Sequence, residues 1–317
     1  MAESKVAAKT TFADWTAGRK GGVAITGASG WVGSAIVHHL LQDLPNQDAI
    51  SLRLFGSADR VLEVGGRRLA VESLSKAGPL GEGDWLFLHL AVVGADRLGG
   101  DPERLRQAND AVLAQTLSLA RTGGVRRFVY ASSGAVYQSS GSAQKQAYSK
   151  LKRGQEDVAH AWAAKAGVPL LIPRIFNVGG PYINHVGAYA LGSFIEQALA
   201  GGAIEIQARQ AVLRSYVHLF ELARVLLDLS LGDEATLTFD TAGDQVVEMA
   251  DLAHAVGAAL ALDLDIRRPP MSPGEDRYVG DGRVYQAAVA RCQGEPIGLE
   301  RIIRDTANYM RGLTQAP

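Results

Sequence analysis

Residues 22–33 read GVAITGASGWVG, and no other stretch of the chain says more about its fold. The apolar run at 22–26 predicts a short buried strand, and apolar residues at helical spacing over 31–44 predict a helix directly after it. Three glycines fill the turn between the two elements: Gly27, Gly30 and Gly33. Such a turn is a phosphate-binding element, because the helix N-terminus presents free N–H groups and a partial positive charge.

Strands and helices continue to alternate through the first half of the chain. Further strands are predicted at residues 50–55, 68–71, 85–90, 127–131 and 170–174, and helices at 102–122 and 148–166. This order is typical of an α/β Rossmann fold, a doubly wound parallel sheet with helices on both faces.

Glycine and proline interrupt the pattern after Phe176, which predicts a smaller, irregular α/β substrate lobe. We therefore predict a flexible leader at 1–20, a dinucleotide-binding Rossmann domain at 21–176 and a mainly substrate-binding lobe at 177–317. Within that lobe, about 212–241 is expected to return to the Rossmann domain.

Composition narrows the functional class. The 317 residues carry a formal net charge of -1, which gives no electrostatic reason to expect nucleic acid or an anionic membrane as partner. A single cysteine, Cys292, excludes an internal disulfide and a zinc site with several thiolates, and no metal is expected. No apolar run is long enough for a membrane span or a signal-peptide core, so a cytoplasmic protein is expected.

Tyr148 and Lys152 stand four residues apart, which places them on one face of a predicted helix. An ammonium group near a phenol favours the phenolate and lowers the tyrosine pKa from about 10 towards neutrality. Tyr148 could then act as a general acid or base on a ketone or hydroxyl group. Ser133 follows the strand at 127–131, where its hydroxyl could hydrogen-bond the reacting oxygen.

The end of the second strand bears on cofactor choice, because an acidic residue there binds the ribose hydroxyls of NAD. Arg53 stands near that position, and Ser57 and Arg60 follow it. An arginine suits a 2′-phosphate, so the sequence favours NADP, with NAD as the alternative. The competing interpretation is that Arg53 only points to solvent from a strand edge.

Taken in order, the motifs resemble the extended short-chain dehydrogenases/reductases of the nucleotide-sugar epimerase/dehydratase family. The matching blocks are TGASGWVG (26–33), HLAVVG (89–94), YASSGAVY (130–137), YSKLKRGQE (148–156), PRIFNVGGP (173–181), RSYVHLFELA (214–223), YVGDGRVYQ (278–286) and LERIIRDTANYM (299–310).

The resemblance implies a role for individual positions. Ser133, Tyr148 and Lys152 would be catalytic, with Lys152 also holding the nicotinamide ribose, and Ser133, Asn177 and Arg214 would contact the substrate. The residues implied to bind the cofactor are Gly27, Ser29, Gly30, Trp31, Val32, Gly33, Arg53, Leu90, Ala91, Val92, Asn109, Tyr148 and Lys152. It also implies a homodimer, in which the helices at 102–122 and 148–166 of two subunits pack as a four-helix bundle.

The chain also departs from the family pattern. Gly134-Ala135 replaces the Asp-Glu pair of the 4,6-dehydratases, and the segment between Ser133 and Tyr148 is short. The family often has a second phosphate-binding arginine near Met271; none aligns here, and Arg268 or Arg277 could substitute.

These features predict NAD(P)-dependent hydride transfer on a nucleotide sugar, with a 4-keto-sugar reductase favoured. The alternatives are a nucleotide-sugar C4 epimerase, a reductase of another small carbonyl compound, and a non-catalytic NADP-binding protein on the same fold.

Overall fold

The computed structural model describes residues 21–43, 51–94, 98–232, 234–292 and 294–315. The predicted leader at 1–20 and the boundary residues 44 and 50 of the first helix and second strand lie outside the described residues.

The helices and strands follow each other in an α/β order. The strands are β1 (Gly21–Thr26), β2 (Ser51–Gly56), β3 (Arg60–Val64), β4 (Arg67–Ser73), β5 (Gly81–His89), β6 (Gly123–Tyr130), β7 (Ser132–Ser133), β8 (Leu170–Ile175), β9 (Asn177–Gly179), β10 (Ile204–Glu205), β11 (Ala211–Arg214), β12 (Tyr216–His218), β13 (Thr236–Asp240), β14 (Val247–Glu248), β15 (Ile266–Arg267) and β16 (Glu275–Tyr278). The helices are α1 (Trp31–Asp43), α2 (Pro102–Ala120), α3 (Ala143–Ala166), α4 (Ala190–Leu199), α5 (Leu219–Ser230), α6 (Met249–Leu260), α7 (Arg283–Cys292) and α8 (Leu299–Gln315).

The main sheet has the order β13-β8-β6-β5-β1-β2-β4-β3, with β7 paired to β8. Neighbouring strands are parallel except for β3 and β4, which are antiparallel. The predicted Rossmann sheet is therefore confirmed. The chain reverses direction across the sheet between β1 and β5, which is where such sheets bind their ligands.

Alternate residues of the central strands face opposite sides of the sheet, and both sides are buried. Val23 and Ile25 of β1 belong to a core cluster that includes the buried face of α1. Ala24, between them, belongs to a second cluster with residues of α2 and α3, such as Leu113 and Trp162. Burial on both faces explains why the central strands are almost entirely apolar.

The edge of the sheet beyond β2 differs from the sequence prediction. The strand predicted at 68–71 is present as β4, but the sequence did not predict β3, which pairs with β4 as a β-hairpin. Gly65 and Gly66 form its turn with φ values of +57° and +74°. Positive φ at both central positions is what a tight hairpin turn requires, and glycine adopts it without strain.

Helix α3 starts five residues before the predicted start at Tyr148. Ser142 caps it, because the Ser142 side chain accepts a hydrogen bond from the backbone N–H of Lys145 at 3.3 Å. Tyr148 and Lys152 therefore lie within the second and third turns of α3 rather than at its N-terminus. Asp101 caps α2 as predicted, accepting from the backbone N–H groups of Glu103 and Arg104.

The second half of the chain builds small sheets beside the carboxyl end of the main sheet. β11 pairs with β14 and β16, β9 pairs with β12, and β10 pairs with β15. β13 returns to the main sheet and pairs in parallel with β8, while α5 packs against α1.

Candidate active site

The candidate site lies at the carboxyl ends of β1, β5 and β6. The glycine turn follows β1, residues 90–92 follow β5, and β7 with Ser133 follows β6. Because parallel strands place their carboxyl ends at one edge, these three segments are neighbours. The residues that the sequence predicted for phosphate binding and catalysis therefore meet at a single edge of the sheet.

The glycine turn packs too tightly for side chains. Gly27 has φ +77°, and a Cβ built there would lie 2.7 Å from the backbone nitrogen of Ala91. A Cβ at Gly33 would lie 2.3 Å from the carbonyl oxygen of Gly27. The turn then enters α1 at Trp31, whose indole N–H donates to the carbonyl of Pro181 at 2.9 Å. A bare backbone leading into a helix N-terminus fits the pyrophosphate of a dinucleotide.

The segment after β5 forms the neighbouring wall. The backbone N–H of Leu90 donates to Thr26 at 3.0 Å. Asn109 of α2 is buried and braces Val93, accepting from its N–H at 2.8 Å and donating to its carbonyl at 3.0 Å. Asn109, which the resemblance placed among the cofactor-binding residues, thus fixes the backbone at Val93. Leu90, Ala91 and Val92 are thus held against the glycine turn, where they are predicted to contact the cofactor.

Tyr148 and Ser133 lie together at this edge. Ser133 interacts with Tyr148, and this hydrogen bond opposes the effect of burial on the phenol. Burial raises the pKa of Tyr148 above its ordinary value, and the neighbouring Tyr278 raises it further. The Oγ atom of Ser133 also accepts from the backbone N–H of Ala135 at 3.2 Å.

Lys152 is on the same helix but does not contact the Tyr148 hydroxyl. Its ammonium donates to the carbonyl of Ala131 at 2.9 Å and to the hydroxyl of Tyr130 at 3.3 Å. Burial lowers the pKa of Lys152 to about 8, an effect that Glu156 partly opposes. The expectation that Lys152 draws the Tyr148 pKa down is therefore wrong for this structure, because the ammonium is buried against other partners.

A partly buried ion pair fixes the strand end that carries Ser133. Glu156 accepts from Ser132 at 2.5 Å, and it pairs with Arg174 through contacts of 2.9 and 2.7 Å. Arg174 also donates to the hydroxyl of Tyr137 at 2.6 Å. A charged pair whose members are hydrogen-bonded in this way holds β7 in one position relative to α3 and β8.

The structure corrects the role predicted for Arg53. Its guanidinium donates to both carboxylate oxygens of Glu72, at 3.0 and 2.6 Å, and to the carbonyls of Gly78 and Pro79 at 3.2 and 2.6 Å. Gly78 and Pro79 precede β5, so they lie at the amino end of that strand, opposite the glycine turn. The side chain therefore points away from the predicted cofactor, and it is not the solvent-facing residue of the competing interpretation either.

Arg60 takes the position that was assigned to Arg53. It begins β3, and its guanidinium donates a short hydrogen bond to the hydroxyl of Ser29 in the glycine turn. The sequence signal for this contact is the Gly-Gly turn at 65–66, since a hairpin over 60–73 brings its first residue back to the end of β2.

The predicted substrate residues gather beside β16. Asn177 donates through its side chain to the carbonyls of Ser215 and Tyr278, at 3.1 and 3.3 Å. Arg214 forms a two-pronged pair with the carboxylate of Asp276, with contacts of 3.4 and 3.0 Å. Its guanidinium therefore already has an acidic partner.

Of the two substitute arginines, Arg268 is bound to Glu248 at 2.8 and 2.9 Å and to the carbonyls of Ala208 and Gln210. These contacts occupy the guanidinium of Arg268. Arg277 is exposed on β16.

A group of aromatic residues that the sequence prediction missed lies against Ser133. The hydroxyl groups of Tyr278 and Ser133 are 3.3 Å apart. The ring of Phe176 lies 4.7 Å from that of Tyr278 and 6.3 Å from that of Tyr137. The block YVGDGRVYQ was the available signal for Tyr278, but its hydroxyl could not be placed without the fold.

Within the described residues, no helix combines the length and the apolar character that a membrane span requires. Nor do these residues contain a group of three or more His, Cys, Asp or Glu side chains that could hold a metal ion.

Comparisons with known proteins identify the family. The model of the NAD dependent epimerase/dehydratase family matches residues 23–230. UDP-glucuronic acid decarboxylase 6 of Arabidopsis thaliana is 25% identical over 273 residues, covering 80% of this chain and 79% of the relative. dTDP-glucose 4,6-dehydratase of Escherichia coli is 22% identical over 277 residues, covering 74% and 75%.

Solved structures support the same fold. A UDP-N-acetylglucosamine 4-epimerase from Methanobrevibacter ruminantium M1 superimposes with a TM-score of 0.74 at 18% identity, covering 93% of this chain and 99% of that one. The dTDP-glucose 4,6-dehydratase DesIV from Streptomyces venezuelae gives a TM-score of 0.68 at 22% identity, covering 92% and 97%. Since the family model spans well over half of the 317 residues, the chain belongs to the NAD dependent epimerase/dehydratase family and is an enzyme of the short-chain dehydrogenase/reductase type.

Proposed function

We propose that this protein transfers hydride between a nicotinamide dinucleotide and carbon 4 of a nucleotide sugar, and that its net reaction is reduction of a 4-keto sugar. The observation that carries the proposal is the meeting of Ser133 and Tyr148 with the glycine turn at one edge of the sheet. This arrangement supports a role for the Tyr148 phenol as acid–base group and for the Ser133 hydroxyl as hydrogen-bond donor to a substrate beside a bound dinucleotide.

The chemistry divides between the cofactor and the chain. The bound dinucleotide supplies the hydride that reduces the ketone carbon. Tyr148 donates the proton that converts the ketone oxygen to a hydroxyl, so one hydride and one proton are consumed for each ketone. Ser133 hydrogen-bonds the same oxygen and holds it towards Tyr148.

Lys152 stabilises the segment that leads to Ser133. Its ammonium fixes the backbone at Ala131, two residues before Ser133, and it is the residue assigned to the nicotinamide ribose. Because burial lowers its pKa to about 8, a substantial fraction of Lys152 becomes neutral in mildly alkaline solution.

Several features support a nucleotide sugar as the substrate. The relatives and structures named above act on, or bind, UDP or dTDP sugars. In this chain, Asn177 donates to the carbonyl of Tyr278, and Arg214 is the partner of Tyr278 between β11 and β16, so both lie near the residue whose hydroxyl reaches Ser133. An arginine there can bind a phosphate in two-pronged fashion, sharing its donors with Asp276.

Reduction is favoured over epimerisation by crowding at Ser133. An epimerase must turn its ketone intermediate over before returning the hydride to the opposite face. The Tyr278 hydroxyl lies 3.3 Å from that of Ser133, and the Phe176 ring packs against Tyr278 and against Gly134, the residue after Ser133. A reductase needs no such rotation. Gly134 and Ala135 lack the carboxylates of the dehydratases, so elimination of water has no acid–base pair.

The second candidate is a C4 epimerase. It is favoured by the SSGAVY form of the serine segment and by the likeness of the fold to 4-epimerases. The two candidates differ in how they use the cofactor, because a reductase consumes it and an epimerase regenerates it.

The test is to mix the enzyme with NADPH and a 4-keto-6-deoxy nucleotide sugar and follow the absorbance of the reduced cofactor. Stoichiometric consumption with formation of the 4-hydroxy sugar is the expected result. Inversion of a 4-hydroxy nucleotide sugar without added cofactor, and no NADPH consumption, would replace the reductase by the epimerase.

A further inference from the structure

The position at which Rossmann folds choose between NAD and NADP is occupied here by a glycine. Gly56 ends β2, and the following residues Ser57 and Ala58 are uncharged. A carboxylate at the end of β2 would accept hydrogen bonds from the two ribose hydroxyls of NAD and would repel a 2′-phosphate. Gly56 has no side chain, so it can neither bind the ribose hydroxyls nor repel a 2′-phosphate.

The absence of a side chain at Gly56 lets an arginine fold over the strand end. A Cβ built at Gly56 would lie 3.0 Å from Nη2 of Arg60, so even an alanine would press on the guanidinium. From this position Arg60 reaches the hydroxyl of Ser29 in the glycine turn. The guanidinium thus spans the gap between the end of β2 and the phosphate-binding turn.

The charge of Arg60 is not neutralised by its neighbours. No carboxylate pairs with it among the residues that the structure describes. The adjacent carboxylate of Asp59 is turned elsewhere, accepting from the backbone N–H of Ser73 at 2.6 Å and lying 3.6 Å from Lys76. The cation is also exposed, so a ligand can reach it without displacing protein.

We propose that Arg60 and Ser29 form the subsite for the 2′-phosphate of NADP(H), with the glycine at position 56 providing the space. This inference rests on the proposed hydride-transfer function. A guanidinium can donate two parallel hydrogen bonds to a phosphate, and the hydroxyl of Ser29 adds a third. The enzyme then discriminates the two dinucleotides at a residue on the hairpin, and Arg53 has no part in it.

The experiment is calorimetric titration of the intact protein with NADPH and NADH, together with adenosine 2′,5′-bisphosphate and AMP as probes of the adenosine half alone. Wild type should bind NADPH more tightly than NADH. Arg60→Ala should weaken NADPH and the bisphosphate about 10- to 100-fold and leave NADH and AMP nearly unchanged.

Two control variants separate this subsite from general charge and stability effects. Arg68→Ala removes the same charge from an exposed position of the same hairpin, where Arg68 pairs with Glu63 at 3.4 Å. Arg53→Gln tests the residue whose guanidinium is bound to Glu72. Both variants should keep the wild-type ratio of the NADPH and NADH affinities.

The outcomes distinguish the inference from the function on which it rests. Equal binding of NADPH and NADH by wild type, or equal weakening of both by Arg60→Ala, would overturn the inference while dinucleotide binding stands. Failure of wild type to bind either dinucleotide would overturn the proposed function and the inference together.

Discussion

The phenolic oxygen of Tyr278 lies 3.3 Å from the hydroxyl oxygen of Ser133, although 145 positions separate the two residues in the chain. Tyr278 is on β16 of the second half of the chain, whereas Ser133 ends β7 of the main sheet. The second half of the chain therefore brings a hydroxyl to the serine that we propose to be catalytic. A sugar oxygen that bonds to Ser133 must share it with Tyr278 or displace that contact.

Tyr278→Phe tests this contact with little change in shape. The ring should still pack on Phe176, while Ser133 loses one hydrogen-bond partner. We expect turnover to fall about 5-fold, the effect of one neutral hydrogen bond, with dinucleotide affinity unchanged. Steady-state kinetics and calorimetry measure the two quantities. Unchanged turnover would show that Tyr278 does not orient Ser133.

Tyr148→Phe should reduce turnover by about 10²–10⁴, which is the usual contribution of a positioned acid–base group. Binding of the dinucleotide should remain nearly intact, because only the hydroxyl is removed. Tyr309→Phe is the matched control, since Tyr309 packs on Tyr182 away from the site. If the Tyr148→Phe variant has normal turnover, Tyr148 is not the acid–base group. If wild type itself shows no turnover, the non-catalytic alternative is favoured.

His89 should make the fold sensitive to acid. Burial, reinforced by the nearby Lys152, lowers the pKa of His89 to about 3 from 6.5. The unfolded chain therefore binds a proton between pH 6.5 and 3 that the folded chain does not, and stability falls as the pH drops through that range. Between pH 7 and 5 this loss amounts to about 2 kcal/mol of unfolding free energy.

Urea unfolding at pH 7 and pH 5 checks this prediction for wild type and His89→Asn. The variant should lose about 2 kcal/mol less than wild type over the same interval. The matched control is His160→Asn at an exposed position of α3, which should behave as wild type. An equal loss in wild type and His89→Asn would contradict the assignment.

Arg214→Ala distinguishes a substrate-binding arginine from a structural one. If Arg214 binds a phosphate of the substrate, KM for the nucleotide sugar should rise about 10- to 100-fold with little change in kcat. Asp276→Asn removes the acidic partner while keeping the arginine, so its KM should stay the same or fall. A matching loss of stability in both variants, with KM unchanged, would make the pair purely structural.

The groove between α2 and α3 should hold a second copy of the chain. It has a volume of about 1170 Å³, and Leu113, Leu117 and Trp162 form part of its lining. These three residues are buried within the chain, with exposed fractions of 7% or less. Val158, another lining residue, is a large apolar side chain that is 48% exposed.

Light scattering at micromolar concentration should therefore give the mass of two chains. Val158→Glu should shift the protein towards one chain, because a charge would be buried at the interface. Val246→Glu introduces the same charge at a position that is 43% exposed and outside the groove, and it should leave the mass unchanged. A wild-type mass of one chain would remove the homodimer prediction.

The sequence predicted the fold where the local pattern and the burial agree. The central strands are apolar because both faces of the sheet are covered. The turn after β1 can be recognised in the sequence because its close packing excludes side chains, so glycines must stand there. The same reasoning located Ser133, Tyr148 and Lys152 on β7 and α3. The prediction that Asp101 caps α2 needed only the three residues next to it in the sequence.

The contacts that the sequence could not predict are those that depend on side-chain direction. Arg53 and Arg60 are equally basic, and only pairing across β2, β3 and β4 shows that one faces Glu72 and the other Ser29. Likewise, Lys152 is four residues from Tyr148, but its ammonium turns to Ala131. Spacing places two residues on one helix face without deciding which neighbour each one bonds.

Phe176 has a mechanical consequence for the two halves of the molecule. A Cβ at Gly134 would lie 2.4 Å from its ring, and a Cβ at Gly280 would lie 2.7 Å from the other side of the same ring. Gly134 follows Ser133 directly, and Gly280 stands two residues after Tyr278. The Phe176 ring thus packs against the segment that carries the Ser133 hydroxyl and against the segment that carries the Tyr278 hydroxyl. Because packed interiors resist deformation, the Phe176 ring opposes any rigid-body motion that would move Tyr278 relative to Ser133.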